Sequence, residues 1–130
     1  MVNQIELHPF FQQAITLKVM EEYRVVPQAW GPLSEAQKDI FHHRTLTKIG
    51  ARHGKSAAQV ILRWHYQRGV PTISKTVRSD RMAENLDIFD FFLTPSEMDA
   101  IAVVDIGHSE IIDHRCYYTA RQLNCVKIHE

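Results

Sequence analysis

Apolar residues recur along the chain in two rhythms, and the rhythms predict the elements. Val2 to Leu7 reads as a strand, ended by His8-Pro9. From Phe11 to Tyr23 no helix breaker occurs, and Ala14, Leu17 and Met20 return at helical spacing. Val25 to Trp30 is a second short strand, carrying Pro27, and Gly31 to Ser34 is a loop. After a polar stretch, Leu46 to Arg52 predicts a helix closed by His53-Gly54. Ser56 and Gln59 have the spacing of a capping box, and Ala57, Val60, Ile61 and Trp64 form the buried stripe of the next helix. Gly69 stops it, and Val70 to Ile73 is a third strand candidate. Ser79 is placed to cap a helix running to about Phe89, with Met82, Leu86 and Phe89 on one face. Thr94-Pro95-Ser96-Glu97 combines a capping Thr, a Pro at the first helical position and a Glu at the third, ahead of Met98, Ile101 and Ala102. The tail after Asp113 is polar, with scattered apolar residues.

Strands alternating with helices indicate an α/β fold with a parallel sheet. Three strands are few for such a sheet, whose two faces both need cover. With 130 residues, one domain over 1–130 is expected. The net charge is zero with eight neutral histidines, which removes any global electrostatic case for nucleic acid or an anionic membrane as partner. No apolar run approaches the roughly 18 residues of a membrane span, and Met-Val-Asn-Gln-Ile-Glu does not begin a signal peptide. Cys116 and Cys125 are too few for a disulfide scaffold and read as reduced cytoplasmic thiols. The histidines and cysteines show no zinc-ligand spacing, so no metal is expected. His42-His43 reads as solvated. Neither a Gly-rich nucleotide loop nor a serine nucleophile elbow is present.

The chemically informative segment runs from Ile73 to Asn85, where a strand ends, a cationic loop comes next and a helix begins. Backbone N–H groups at a helix start carry about half a positive charge. Lys75, Arg78 and Arg81 add full charges, which suits an anion such as a phosphate. On spacing alone, a solvated basic turn fits equally well.

That segment resembles the signature of aldo-keto reductases, in which a Lys comes after the last barrel strand and an Arg-x-x-Glu-Asn run opens the next helix. The resemblance implies that Lys75, Thr76 and Arg81 hold the 2′-phosphate of NADP, and that Glu84 and Asn85 bind the adenine. Thr76 stands where Ser is commoner and keeps the hydroxyl; Ser74 stands where Pro is more usual. Val2 to Pro9 resembles the family's sixth-strand motif, which gives Gln4 the nicotinamide carboxamide. Ala29 to Leu33 resembles the seventh-strand motif, which gives Trp30 the nicotinamide ring and Gly31 and Leu33 a backbone approach to the pyrophosphate. Gly54 to Trp64 and Phe89 to Met98 match structural runs of the same family. The resemblance covers residues 2–106 and is nearest to the bacterial group that reduces small sugar-like ketones and aldehydes.

The fold so implied is a (β/α)₈ TIM barrel, of which this chain holds the last three β/α units. The family's catalytic Asp, Tyr, Lys and His come from the first half and have no match here, so no catalytic residue is assigned. Lys75 takes the phosphate, His8 is structural, and His114, Tyr117 and Tyr118 lie outside any motif. Part of a barrel exposes two strand edges. The expected partners are therefore copies of the chain, giving a homo-oligomer with an edge strand paired across a two-fold axis, or the missing N-terminal half. Three functions are open: the NADP-binding C-terminal part of an NADPH-dependent carbonyl reductase, inactive alone; a non-catalytic nucleotide-binding module; or a structural interaction protein.

Overall fold

The computed structural model describes residues 1–109, 111–112 and 116–125. Strand β1 (Val2–Glu6) pairs in parallel with β2 (Val26–Trp30), with Val2 opposite Val26 and Glu6 opposite Trp30. Helix α1 (Ala14–Glu22) makes the crossover between them, as parallel pairing requires. Alternation along the strands sends Ile5, Leu7 and Ala29 to one face, where Leu7 and Ala29 are fully buried. The opposite face carries Gln4, Glu6, Gln28 and Trp30.

The third strand does not form as a ladder. Among the described residues it is a single parallel bridge, Ala29 to Thr72, made by Ala29 N–H to the Pro71 carbonyl and Ile73 N–H to the Ala29 carbonyl. Pro71 has no N–H to offer, which limits the segment to sparse pairing.

Of the next four helices, three add side chains to the core around Leu7 and Ala29. Helix α2 (Arg44–His53) ends at Gly54, which takes the left-handed conformation expected of a helix-closing glycine. Helix α3 (Ala57–Gln67) starts at the Ser56–Gln59 capping box and buries Ala57, Val60, Ile61 and Trp64 as the periodicity requires. Helix α5 (Pro95–Ala102) has the Thr94–Glu97 capping box and buries Ile101, but leaves Ala102 exposed. Helix α4 (Ser79–Leu86) differs from expectation: its N-cap is Arg78 rather than Ser79, and no residue in it is buried. The helix ends at Leu86, short of Phe89; Met82, Leu86 and Phe89 line one cavity but are exposed.

Two stretches were not legible. Residues Ser34–His42 form a kinked 3₁₀ segment in which Ser34, Glu35, Ala36, Lys38 and Asp39 have positive φ. Isolated propensity disfavours such a run, and only Ser34 and Ile40 in it are buried. The tail contains helix α6 (Tyr117–Cys125), with Tyr117 and Tyr118 exposed. Cys116 and Cys125 form no disulfide, and His114 lies outside the described residues. His42 is exposed beside Asp39, whereas His43 is half-buried and packs edge-on against Phe10, 5.4 Å between ring centroids.

The core joins Leu7, Ala29, Ile40, Leu46, Ile49, Val60, Ile61, Trp64, Val70, Leu93 and Ile101. The Arg68 guanidinium covers the Trp64 ring at 4.3 Å and donates to the Gln12 carbonyl. Beside Trp64, His65 is fully buried with neither ring nitrogen hydrogen-bonded among the described residues. Burial pushes its pKa from 6.5 down to about 3, the nearby Pro32 carbonyl opposing only in part.

A histidine whose folded pKa is depressed binds its proton more readily when unfolded. Its contribution is therefore fully present above pH 6.5 and is lost as pH falls from 6.5 toward 3. Urea titrations at pH 7 and pH 4.5 should differ in stability by about a few kcal/mol, and His65→Leu should reduce that difference. Equal pH dependence in the two proteins would show that His65 is not the responsible group.

Candidate functional site

Residues distant in sequence meet at one cleft of about 240 Å³, lined by Leu33, Phe41, Ser56, Ala57, Ala58, Lys75, Thr76, Arg81, Glu84 and Asn85. Three elements build it. The loop after β2 supplies Leu33 and, near the end of the 3₁₀ segment, Phe41. The start of α3 supplies Ser56 to Ala58. The loop before α4 and the helix itself supply Lys75 to Asn85.

Polar bonds hold these elements at their separation. The Ser56 hydroxyl accepts from Gln59 N–H at 3.3 Å and donates to Glu84 Oε1 at 2.5 Å. The Gln59 amide group accepts from Ser56 N–H at 3.0 Å and donates to the Asp87 carbonyl at 2.8 Å. Lys55 reaches Asp87 at 2.8 Å and Asp90 at 2.7 Å. These two carboxylates raise the Lys55 pKa above its ordinary value. Ala57 and Ala58 occupy the first two helical positions, whose N–H groups have no carbonyl within the helix, and both residues line the cleft.

The cations divide into two sets. Arg78 is bound to its neighbour Asp80, which raises the pKa of the guanidinium and lowers that of the carboxyl. It does not line the cleft, and its charge is paired with Asp80. Lys75 and Arg81 do line it, and neither has a carboxylate partner among the described residues. Thr76 accepts from Arg78 N–H at 3.2 Å through its hydroxyl oxygen. Asn85 makes a long 3.5 Å contact with Ser74.

Of the residues singled out in the sequence, Leu33, Lys75, Thr76, Arg81, Glu84 and Asn85 come together here. Gly31, Leu33 and Lys75 also line an adjoining cavity with Pro32, Glu35, Ile73 and Ser74. Gln4 and Trp30 line neither. They sit on the polar face of the sheet, where Gln4 donates to Gln28 at 3.3 Å. Phe41 and Ser56 were not identified from sequence. For Ser56 the signal was there, since a capping box marks a helix start and its free N–H groups; Phe41 gave none. Among the described residues, no group of three His, Cys, Asp or Glu side chains is placed to hold a metal ion.

A family model described as the aldo/keto reductase family matches residues 1–106. The chain belongs to the aldo/keto reductase family. It is 41% identical to a morphine 6-dehydrogenase of Pseudomonas putida, over 82% of this chain and 40% of that protein. It is 44% identical to a glyoxal reductase of Bacillus subtilis, over 78% of this chain and 36% of the relative. Among solved structures, a mutant of Gox0644 in complex with NADPH superposes with a TM-score of 0.77 at 40% identity, covering 80% of this chain and 38% of that one. An aldo-keto reductase from a deep-sea metagenome library gives 0.81 at 30% identity, covering 88% and 44%. The chain thus spans about two-fifths of the length of the relatives it matches. The expected NADP resemblance stands on this membership and on the NADPH-bound neighbour. No helix among the described residues is long and apolar enough to cross a membrane.

Ser56→Ala should cost about 1 kcal/mol of stability through the lost cap. It should also release Glu84 from its hydroxyl partner. Chemical denaturation checks the first effect, and an unchanged midpoint would show that the cap contributes nothing.

Proposed function

We propose that the cleft binds the phosphoadenosine end of NADP(H), and that the chain is the C-terminal, nucleotide-binding part of a carbonyl reductase. The observation that carries this reading is the pair Lys75 and Arg81: two cations without carboxylate partners among the described residues, lining one cleft with the Thr76 hydroxyl. Such a set matches a 2′-phosphate, which accepts charge-assisted hydrogen bonds from all three. Glu84 keeps Oε2 available for an adenine amino group while Oε1 holds Ser56. Asn85 offers amide donors and an acceptor to the ring, and the flat Phe41 side chain supplies an apolar wall.

In the adjoining cavity, the Gly31 and Leu33 backbone would approach the pyrophosphate. Trp30 and Gln4, on the sheet face next to Gly31, would take the nicotinamide ring and its carboxamide. When bound, NADPH supplies the hydride for reduction of an aldehyde or ketone. The residues of this chain bind and orient the nucleotide; the proton donor belongs to a part of the family pattern that this chain does not match. The 130-residue polypeptide alone is therefore expected not to reduce carbonyls. The outer edge of β1 has no strand beside it among the described residues. A further strand covers it in this reading, from a second copy of the chain or from the first half of a barrel.

Calorimetry with NADPH and NADH tests the assignment. NADPH should bind more tightly, and Arg81→Ala should remove that preference with a roughly tenfold loss in NADPH affinity, given partial solvent screening. Equal binding of the two nucleotides to the unsubstituted chain would refute it, as would binding of neither.

A further inference from the structure

Glu6 has no part in the nucleotide reading, yet it is a buried carboxylate with both oxygens engaged. Oε1 meets His8 Nε2 at 3.0 Å, and Oε2 accepts from the Ser109 hydroxyl at 2.6 Å. The second bond spans more than a hundred residues of sequence, and a series of ties leads the chain to it. Gln12 Nε2 donates to the Ile101 carbonyl at 2.7 Å, and Gln12 N–H to Asp105 at 3.3 Å. Ile106 N–H donates to the Phe10 carbonyl at 2.8 Å. The segment after α5 is thereby laid along the loop beyond β1 and arrives at the end of that strand.

Ser109 also orients Ile111 and Ile112. Its oxygen accepts from Ile111 N–H at 3.2 Å and from Ile112 N–H at 3.0 Å while its proton goes to Glu6. Ile111 then fills the space that Gly31 leaves open, its Cδ1 lying 3.1 Å from where a Cβ on that glycine would stand. Gly31 has φ +57°, so a side chain there would be strained even without Ile111. Glu6 is the register partner of Trp30, so the contact with Ser109 lies one strand across from Trp30.

We propose that Glu6 and Ser109 form a clasp that seats Ile111 on Gly31, a lining residue of the cavity adjoining the cleft, and so fixes the Gly31 backbone there. This rests on the NADP(H) reading, in which Trp30 and Gly31 take the nicotinamide and pyrophosphate. Ser109 is a positioning residue: it acts through Ile111 and does not touch the nucleotide. The clasp governs the inner half of the ligand and leaves the phosphoadenosine half, held by Lys75 and Arg81, unaffected.

The full chain is titrated with NADPH and, separately, with adenosine 2′-monophosphate, which has neither the pyrophosphate nor the nicotinamide. Ser109→Ala should weaken NADPH roughly tenfold. It should leave the monophosphate unchanged, and Ser109→Thr should restore NADPH. If Ser109→Ala leaves NADPH binding intact, or weakens both ligands equally, the clasp does not do what is proposed. If the unsubstituted chain binds neither ligand, it is the nucleotide reading that fails, and hydrogen exchange decides on the clasp itself. The Ile111 and Ile112 amides should be protected in the unsubstituted chain and in Ser109→Thr, and should lose protection in Ser109→Ala. Unchanged protection would overturn the clasp.

Discussion

The geometry of the cleft depends on how helix α4 is held, because α4 buries no side chain of its own. Hydrophobic packing is therefore not what places Arg81, Glu84 and Asn85. The placement falls to the polar node at the start of α3, where Ser56 and Gln59 complete each other's capping bonds. They then use their remaining valences on Glu84 and on the Asp87 carbonyl. Lys55 adds two ion pairs to the same turn. A capping box normally satisfies only the helix it begins. Here the same two side chains also dock a second helix, so a local sequence signal has a tertiary consequence.

This explains which parts of the molecule were legible in the sequence. The α3 and α5 starts obey rules reaching three residues, and both capping boxes form as read. The same holds for Gly54 and for the α3 stripe, whose Trp64 is buried in the core. Misreadings arise where a partner outside the window decides. Met82 and Leu86 have the spacing of a buried stripe, and spacing specifies a shared face without specifying what covers it. Val70 to Ile73 has strand composition but pairs only at Thr72. The five left-handed residues between Ser34 and Asp39 include no glycine to announce them. At the site, the contiguous segment from Lys75 to Asn85 was readable as a unit. Phe41 reaches the cleft only because the chain folds back after that run.

The same distinction applies to charge. Counting cations around the loop before α4 gives three, Lys75, Arg78 and Arg81, and treats them alike. The structure separates them by partner. Arg78 is satisfied by Asp80 two residues away, whereas Lys75 and Arg81 meet no carboxylate among the described residues and line the cleft. An exposed ion pair such as Arg78–Asp80 contributes little to stability, but it takes one positive charge out of the local field. The two cations left unpaired line the same cleft as Ala57 and Ala58, whose N–H groups have no carbonyl in their own helix. An anion entering the cleft would meet donors that no carboxylate already occupies, so it need not first break an internal ion pair. Glu84 is the one acid in that lining, and its bond from Ser56 engages one of its two oxygens. The site thus holds two cations without a carboxylate partner among the described residues and one carboxylate, Glu84, fixed at the start of α3 by Ser56. In the proposed reading the cations take the phosphate and Glu84 the amino-bearing ring, so the ligand's orientation follows from which of these groups each of its parts can pair with.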